Sequence, residues 1–387
     1  MIYKREIFKK IERCLLSPEV LVLTGMRRTG KTTVLKYLFD KIESKNKLFL
    51  DIERPLNQEI LANRDYEAVK LSFEKLGINF NEKNYIFLDE IQFLKNAPSL
   101  IKYIYDHYKT KFVVTGSASF YLKNLFSESL AGRKYLFELY PLSFKEFLWF
   151  KNIDYKLVKR GEKVTHEVYG IFSTLFEEYL TYGGFPQVVL KSSHEEKNDT
   201  LNDIFTAYFQ KEVQQLADFK DNAVIRNLVL LLTERIGQRL DISKLASEMG
   251  VSRPTIYEYL EYLQGTYLID LVPAYGKPDV ALRKQSKVYF ADTGLLNILG
   301  KVASGNLFEN SVFLKLKRDG CVSYLESEFN EVDFIAEETG YEAKLFPSSR
   351  DLVRLERIAR KIKLKDHYLF SYKYSAENKV LYGFQEI

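Results

Sequence analysis

The sequence predicts an α/β fold, and three stretches carry that prediction. The segment VLVLTGMRRTGKTTVLKYLF passes from an apolar β run through a glycine-bearing turn into a helical run. YIFLDEIQ reads as a buried strand that ends in two acids. Residues 301–387 read in the order helix, three strands, helix, strand. A chain of 387 residues, 46% hydrophobic and 28% charged, has material for roughly two to four domains with cores of their own.

The bulk numbers exclude little. A net charge of +5 is mild for this length, so a nucleic-acid partner is permitted but not required. Cys14 and Cys321 match no ligand spacing, and neither a disulfide framework nor a zinc site is expected. The N-terminal MIYKREIFKKIERCLL alternates charged and apolar residues at helical spacing, unlike a secretory leader, and no apolar run is long enough to cross a bilayer. A cytoplasmic chain with no membrane partner is expected.

Gly25-x4-Gly30-Lys31-Thr32 fits the phosphate-binding loop pattern. Its context is the required one, with Val20–Leu23 as the strand before it and Thr33–Phe39 as the helix after it. Such a loop wraps a β-phosphate with backbone N–H groups, and the helix N-terminus adds partial positive charge. Arg28, Thr29 and Thr33 belong to the same cradle. Lys31 is expected to reach the β- and γ-phosphates, and the Thr32 hydroxyl to hold Mg²⁺. In YIFLDEIQ, Asp89 is expected to bind Mg²⁺ through water and Glu90 to polarise the attacking water.

Further strands are predicted at KLFLDIE (47–53), KFVVTGSAS (111–119) and KYLFELYP (134–141), completing a parallel sheet of five with helices between. A strand between the phosphate-loop strand and the Asp-Glu strand, together with Glu90, resembles the hydrolytic branch of such proteins rather than a small-molecule kinase. Thr115 or Ser117 is then a γ-phosphate sensor, or both are turn residues. Arg133 is a candidate arginine finger, and Arg27 and Arg28 are candidate phosphate contacts; the alternative for each is an ordinary surface cation.

Together, GMRRTGKTT, IFLDEIQ, VVTGSAS, LAGR…YPLSFKEFL and YGGFPQVV resemble a large family of archaeal and bacterial AAA+-type P-loop ATPases. The resemblance runs over essentially the whole chain. It implies ATP binding and hydrolysis, with an ATPase domain over 1–150 and a helical lid and linker region over 151–240. A winged helix over 241–300 and a small α/β domain over 301–387 complete the expected order.

The middle of the chain supports that order. Residues 151–167 are polar and lack periodicity, as a linker does. VYGIFSTLFEEYLTYGGFPQVVL reads as a helix stopped by Gly183-Gly184 and Pro186. In DISKLASEMGVSRPTIYEYLEYLQ a helix, a turn at Gly250 and a second helix make a helix-turn-helix pattern, with Leu245, Ala246, Ile256, Leu260 and Leu263 on its apolar side. Ser252, Arg253 and Thr255 fall where groove-reading residues sit. Lys277, Arg283, Lys284 and Lys287 around the wing argue for DNA. Glu258 and Glu261 argue for packing or protein contacts instead.

The C-terminal order α-β-β-β-α-β resembles the core of PD-(D/E)XK nucleases. Glu331 and Asp333 share one face of a strand in NEVDFIAEETGYEAKL, and Glu342 and Lys344 share one face of the next. Antiparallel pairing brings Asp333 beside Glu342, where two carboxylates offer hard oxygen ligands to a second Mg²⁺ or to Mn²⁺. The resemblance implies that Lys344 activates the attacking water and that Glu309 on the preceding helix is a further ligand. Val332 stands where the motif's name has proline. An ordinary half-exposed sheet also gathers charges on one face. The expected function is ATP hydrolysis coupled to DNA binding or cleavage. The alternative is a nucleotide-dependent switch that governs protein contacts or self-association, with the nuclease fold silent; a motor acting on protein is a third reading.

Overall fold

The computed structural model describes residues 2–117, 132–216, 222–277, 284–327 and 330–387. Arg283 and the end of the VVTGSAS stretch lie outside the described residues. The chain divides into two compact units, Met1–Tyr140 with Gly265–Tyr267 and Pro141–Gln264 with Leu268–Ile387.

The first unit opens with α1 (Phe8–Leu15), β1 (Val20–Thr24), α2 (Lys31–Lys41) and β2 (Lys47–Asp51). Next come α3 (Pro55–Leu61), α4 (Tyr66–Lys75), β3 (Asn84–Asp89), α5 (Ala97–His107), β4 (Thr110–Gly116) and β5 (Lys134–Glu138). The strands are all parallel, in the order β2-β3-β4-β1-β5. β1, β3 and β4 are buried along their whole length, which is why they read as unbroken apolar runs. Side chains two apart fall on the same face. Val20, Val22, Ile86, Leu88 and Phe112 enter a core with Val69, Phe73 and Ile104 from α4 and α5. Leu21, Leu23, Phe87 and Val113 enter the other core with Ile11, Leu35 and Leu38 from α1 and α2. The strand that separates β1 from β3 in space is β4, whereas β2, which lies between them in sequence, forms an outer edge.

The second unit begins with helices α6 (Phe144–Phe150), α7 (His166–Tyr182), α8 (Pro186–Val189) and α9 (His194–Tyr208), the last running into a π-helical segment, Phe209–Leu216. It continues through α10 (Asn222–Thr233), α11 (Ile242–Met249), α12 (Arg253–Gly265), β6 (Ile269–Val272) and β7 (Lys287–Phe290). Then come α13 (Thr293–Leu299), α14 (Ser304–Lys317), β8 (Val322–Ser327), β9 (Asn330–Ala336) and β10 (Thr339–Lys344). The unit ends with α15 (Ser349–Lys361), β11 (Asp366–Ser371) and β12 (Val380–Tyr382). Apart from Gly265–Tyr267, the stretches 151–240, 241–300 and 301–387 therefore share one compact unit. The polar stretch after α6 is fastened rather than loose: Arg160 N–H donates to the Glu386 carbonyl at 2.7 Å, and Glu386 N–H to that of Val158 at 2.9 Å.

Asp241 caps α11, accepting from the N–H groups of Ser243 and Lys244, and Gly250 ends it in the left-handed conformation. Leu245, Ala246, Ile256, Leu260 and Leu263 are all buried, and β6 and β7 pair antiparallel after the second helix. The Ser252 hydroxyl lies 2.8 Å from that of Thr255 and accepts the Thr255 N–H at 3.3 Å. Of the three expected groove readers, Ser252 thus caps the second helix with Thr255 as its partner, and Arg253 is left exposed.

The C-terminal sheet has the order β12-β11-β10-β9-β8. β8, β9 and β10 run antiparallel, whereas β10, β11 and β12 run parallel. Val332, Ile335, Leu355, Ile358 and Leu369 form its core beneath α15. The order helix, three strands, helix, strand is the one read from the sequence, with β12 added at the edge.

Candidate functional site

The loop between β1 and α2 is shaped by its backbone. Gly25 has φ 141°, and a Cβ there would lie 2.2 Å from the Leu139 carbonyl oxygen, so only glycine lets β1 leave the sheet beneath that chain. Left-handed turns at Arg28 and Gly30 follow, giving the alternating backbone that forms an anion-binding concavity. α2 then starts at Lys31 with no side-chain cap. Its first N–H groups are left for an incoming anion.

Lys31 is 3% exposed, and its ammonium donates to the carbonyls of Gly25 at 2.9 Å and Met26 at 3.0 Å. Thr29 is buried and donates to the Met26 carbonyl, while Arg28 and Thr33 are exposed at the loop's rim. One residue here escaped the sequence reading. Arg5, 6% exposed, donates to the carbonyls of Thr29 at 3.0 Å and Tyr140 at 2.9 Å, tying the loop to the end of its unit. A lone arginine ahead of α1 carries no local signal of that contact.

β3 ends beside the loop because parallel strands end on the same side of the sheet. There Thr115 organises both acids: its hydroxyl donates to the Asp89 carboxylate and accepts the Glu90 N–H at 3.0 Å. The Thr32 hydroxyl also bonds to Asp89. Burial pushes the Asp89 carboxyl above its ordinary value against the bonds from Thr115 and Thr32, and the charges of Glu90 and Asp51 push the same way. A divalent cation is the charge this hard-oxygen pair lacks, so Thr32 and Asp89 fit Mg²⁺.

Glu90 sits at φ 56°, an uncommon place for a residue with a side chain. Burial pushes its carboxyl up. The charges of Lys31 and Arg27 outweigh that, helped by bonds from Gln92 and Ser117, and the net effect holds it below its ordinary value. The Gln92 amide donates to both the Glu90 carboxylate and, at 2.9 Å, the Ser117 hydroxyl. Gln92 is the second residue that the sequence reading missed.

Arg133 lies apart from the phosphate loop. It precedes β5, and its carbonyl accepts the N–H of Val20 at the start of β1. Its guanidinium pairs with Asp106 at 2.9 Å. The phosphate loop follows the other end of β1, about 16 Å away at the rise of an extended strand. Arg133 is therefore not a finger for the nucleotide of its own chain.

The C-terminal carboxylates do come together. β9 and β10 pair Ala336 with Thr339, Ile335 with Gly340 and Phe334 with Tyr341, so Asp333 and Glu342 are next in register. There the Ala343 N–H donates to the Asp333 carboxylate at 2.9 Å. Both oxygens of Glu342 accept from Arg354 at 2.6 Å. Glu309 accepts the Tyr289 hydroxyl at 2.7 Å. Lys344 acts by charge on Glu331, Asp333 and Glu342, and its ammonium has no hydrogen-bond partner among the described residues.

Lys287 is the surprise of this cluster. Expected on the wing surface, its side chain is 3% exposed and its ammonium lies 2.9 Å from Glu331. Lys284 donates to the Glu326 carbonyl, and Lys277 is exposed. The basic group read around the wing thus loses one member to the interior. Among the described residues no three His, Cys, Asp or Glu side chains are arranged to hold a metal ion. With Arg354 across both oxygens of Glu342 and Lys287 on Glu331, the residues present do not fit a second divalent ion.

Burial, then the charge of Asp333, raises the carboxyls of Glu309 and Glu342 to about 7 each. Their ordinary value is 4.5, so the folded chain holds these protons more tightly than the unfolded chain over about pH 4.5–7. Stability of the second unit is therefore expected to fall as pH rises through that window. Its melting temperature should be several degrees higher at pH 5.5 than at pH 8, on the order of that produced by 1–2 kcal/mol. Calorimetry at the two pH values checks this, and the opposite slope would mean that both carboxylates stay ionised in the fold.

A phosphate loop after a central parallel strand, a Lys-Thr pair opening the next helix and an Asp-Glu pair ending a strand one removed define an AAA-type P-loop ATPase domain. The AAA domain family matches residues 17–148, and a domain of unknown function, DUF8612, matches residues 173–306. An uncharacterized protein of Haemophilus influenzae is 30% identical over 332 residues, covering 82% of this chain and 79% of that one. An uncharacterized protein of Methanocaldococcus jannaschii is 28% identical over 407 aligned residues, covering 98% of this chain and 87% of that one. The chain belongs to the family of the Haemophilus protein. Among solved structures, Aeropyrum pernix ORC1 in complex with DNA aligns with a TM-score of 0.39 at 12% identity, over 77% of this chain and 93% of that one. No helix among the described residues is long and apolar enough to cross a membrane.

Proposed function

We propose that the chain hydrolyses ATP in its first unit and uses the cycle to control contact of its second unit with DNA. The observation that carries the first half is the Thr115 hydroxyl, bonded to both Asp89 and Glu90 beside the phosphate loop. Gly30, Lys31 and the first N–H groups of α2 cradle the phosphates. Glu90, held ionised by Lys31 and Arg27, accepts the proton of the attacking water. Ser117 and Gln92 fix the carboxylate's position. Mg²⁺ on Thr32 and Asp89 would neutralise charge on the phosphate oxygens. Arg28, Thr29 and Thr33 contribute the rim and wall of the cradle.

The DNA half rests on α11, Gly250 and α12, read as a winged helix with the β6–β7 pair, and on the exposed Arg253. A second reading, a nucleotide-dependent switch for protein contacts with a silent PD-(D/E)XK-like fold, is favoured by Arg354 on Glu342 and Lys287 on Glu331. Labelled linear, branched and single-stranded DNA, with and without ATP, distinguishes them. Retention that falls steeply with salt and changes with ATP, but not in Lys31→Ala, supports the DNA reading. Intact hydrolysis with no retention of any DNA sinks it in favour of the switch. Cleavage that depends on Lys344 sinks the silent-fold reading.

A further inference from the structure

We infer that Lys287 is the resident cation of the C-terminal carboxylate cluster, and that it keeps the cluster free of divalent metal. The inference rests on the nuclease-like reading of the second unit and deepens its silent form.

Four acids lie near one another here: Glu309 from α14, Glu331 and Asp333 from β9, and Glu342 from β10. The Lys287 ammonium acts by charge on Asp333, Glu309 and Glu331. Its ion pair with Glu331, the one it makes among the described residues, is one-sided in burial, because the lysine side chain is 3% exposed and the glutamate's is 51% exposed. An ammonium in that position needs compensating charge from the buried side. Asp333, 8% exposed, supplies it.

The lysine is held by backbone structure rather than by a loop. Lys287 pairs with Val272 across the β6–β7 ladder and with Arg239 on its other side, and the neighbouring Ser286 carbonyl accepts the Leu240 N–H at 2.9 Å. Its ammonium is therefore delivered at a fixed place among the acids. A divalent ion needs several oxygens around one point. Here the oxygens are shared out to Lys287, Arg354, Tyr289 and the Ala343 N–H, and among the described residues no three acids are arranged to hold a metal ion. A fixed ammonium both occupies acceptor sites and repels a second cation. Lys287 thus does for this cluster what a metal does in a loaded one.

Mn²⁺ alone, titrated into the nucleotide-free full chain and followed by calorimetry and Mn²⁺ electron paramagnetic resonance, tests the inference. Asp333→Asn identifies any binding that belongs to the cluster rather than to the phosphate loop. The wild-type chain is expected to show no Asp333-dependent site, and Lys287→Met to gain one at least about tenfold tighter than anything in the wild type. Equal Asp333-dependent binding in both overturns the inference, and so does its absence from a folded Lys287→Met. Should that variant not fold, the wild type decides by acetic anhydride footprinting. A Lys287 as reactive as Lys277, or any Asp333-dependent Mn²⁺ site, overturns the inference; a protected Lys287 with no such site supports it. Neither result bears on ATP hydrolysis, so failure here is separable from failure of the ATPase reading.

Discussion

Glu90→Gln should bind ATP as tightly as the wild-type chain and hydrolyse it roughly 10²–10⁴-fold more slowly, the usual contribution of a positioned general base. The substitution keeps the shape of the side chain. It also keeps the backbone N–H bond to Thr115 that holds the Asp-Glu turn. What it removes is the negative charge that Lys31 and Arg27 hold ionised, and with it the acceptor for the water's proton. Lys31→Ala should behave differently. That ammonium lies buried within the loop, on the carbonyls of Gly25 and Met26, so its loss weakens binding as well as turnover. A fluorescent-nucleotide titration beside single-turnover hydrolysis separates the two. Hydrolysis by Glu90→Gln within about threefold of wild type, far inside the range of a lost base, would remove Glu90 from that role. Because burial is outweighed at Glu90, its carboxyl remains charged well below neutrality, so the wild-type rate should not fall between pH 8 and 6 on account of this group.

How much of this was legible depended on whether the signal was local. β1, β3 and β4 announce themselves because a strand covered on both faces is apolar at every position. The pairing of Asp333 with Glu342 followed from two-residue periodicity and an intervening turn, both short-range. The order of the sheet was less accessible, since β2 and β4 have similar sequences and only the crossovers decide which one separates β1 from β3. The place of Arg133, away from the loop of its own chain, carried a signal as well. An arginine just before a parallel strand lies at that strand's N-terminal end, opposite the end where nucleotides bind. Likewise Ser252, three residues before Thr255 at a helix start, has the spacing of a cap. Lys287 was illegible for a deeper reason. In SKVYF it looks like any basic residue on a wing, and its burial depends on β7 meeting acids more than twenty residues further along the chain. Arg5 and Gln92 are of the same kind: each satisfies a partner that no local pattern could disclose.

Gly183→Ala should destabilise the second unit by about 4 kcal/mol or more, the range reached only by substitutions with a specific steric cause. Gly183 ends α7 at φ 72° and ψ −164°, a conformation that is essentially reserved for glycine. An added Cβ would also stand 2.1 Å from an oxygen of Asp292. That carboxylate cannot step aside. It accepts the Gly184 N–H at 2.7 Å and the Leu295 N–H at 3.0 Å, capping α13, and its burial raises its carboxyl to about 6. From the α13 side, a Cβ on Gly294 would meet the Tyr182 carbonyl oxygen at 2.2 Å. The end of α7 and the start of α13 thus touch closely at Gly183, whereas a Cβ on Gly184 would meet the Leu142 carbonyl oxygen at 2.4 Å, so each glycine of YGGFPQVV has its own steric reason. Gly161→Ala is the matched control, for it has φ 89° and open space around the added carbon, so it carries only the backbone term of about 1–2 kcal/mol. The difference between the two, read from the second unit's thermal transition, reports the collision with Asp292 together with the stricter backbone at Gly183. If both variants melted at the same temperature, α13 would have to be free to move away from α7, and the capping carboxylate could not be the fixed point around which this part of the fold is built.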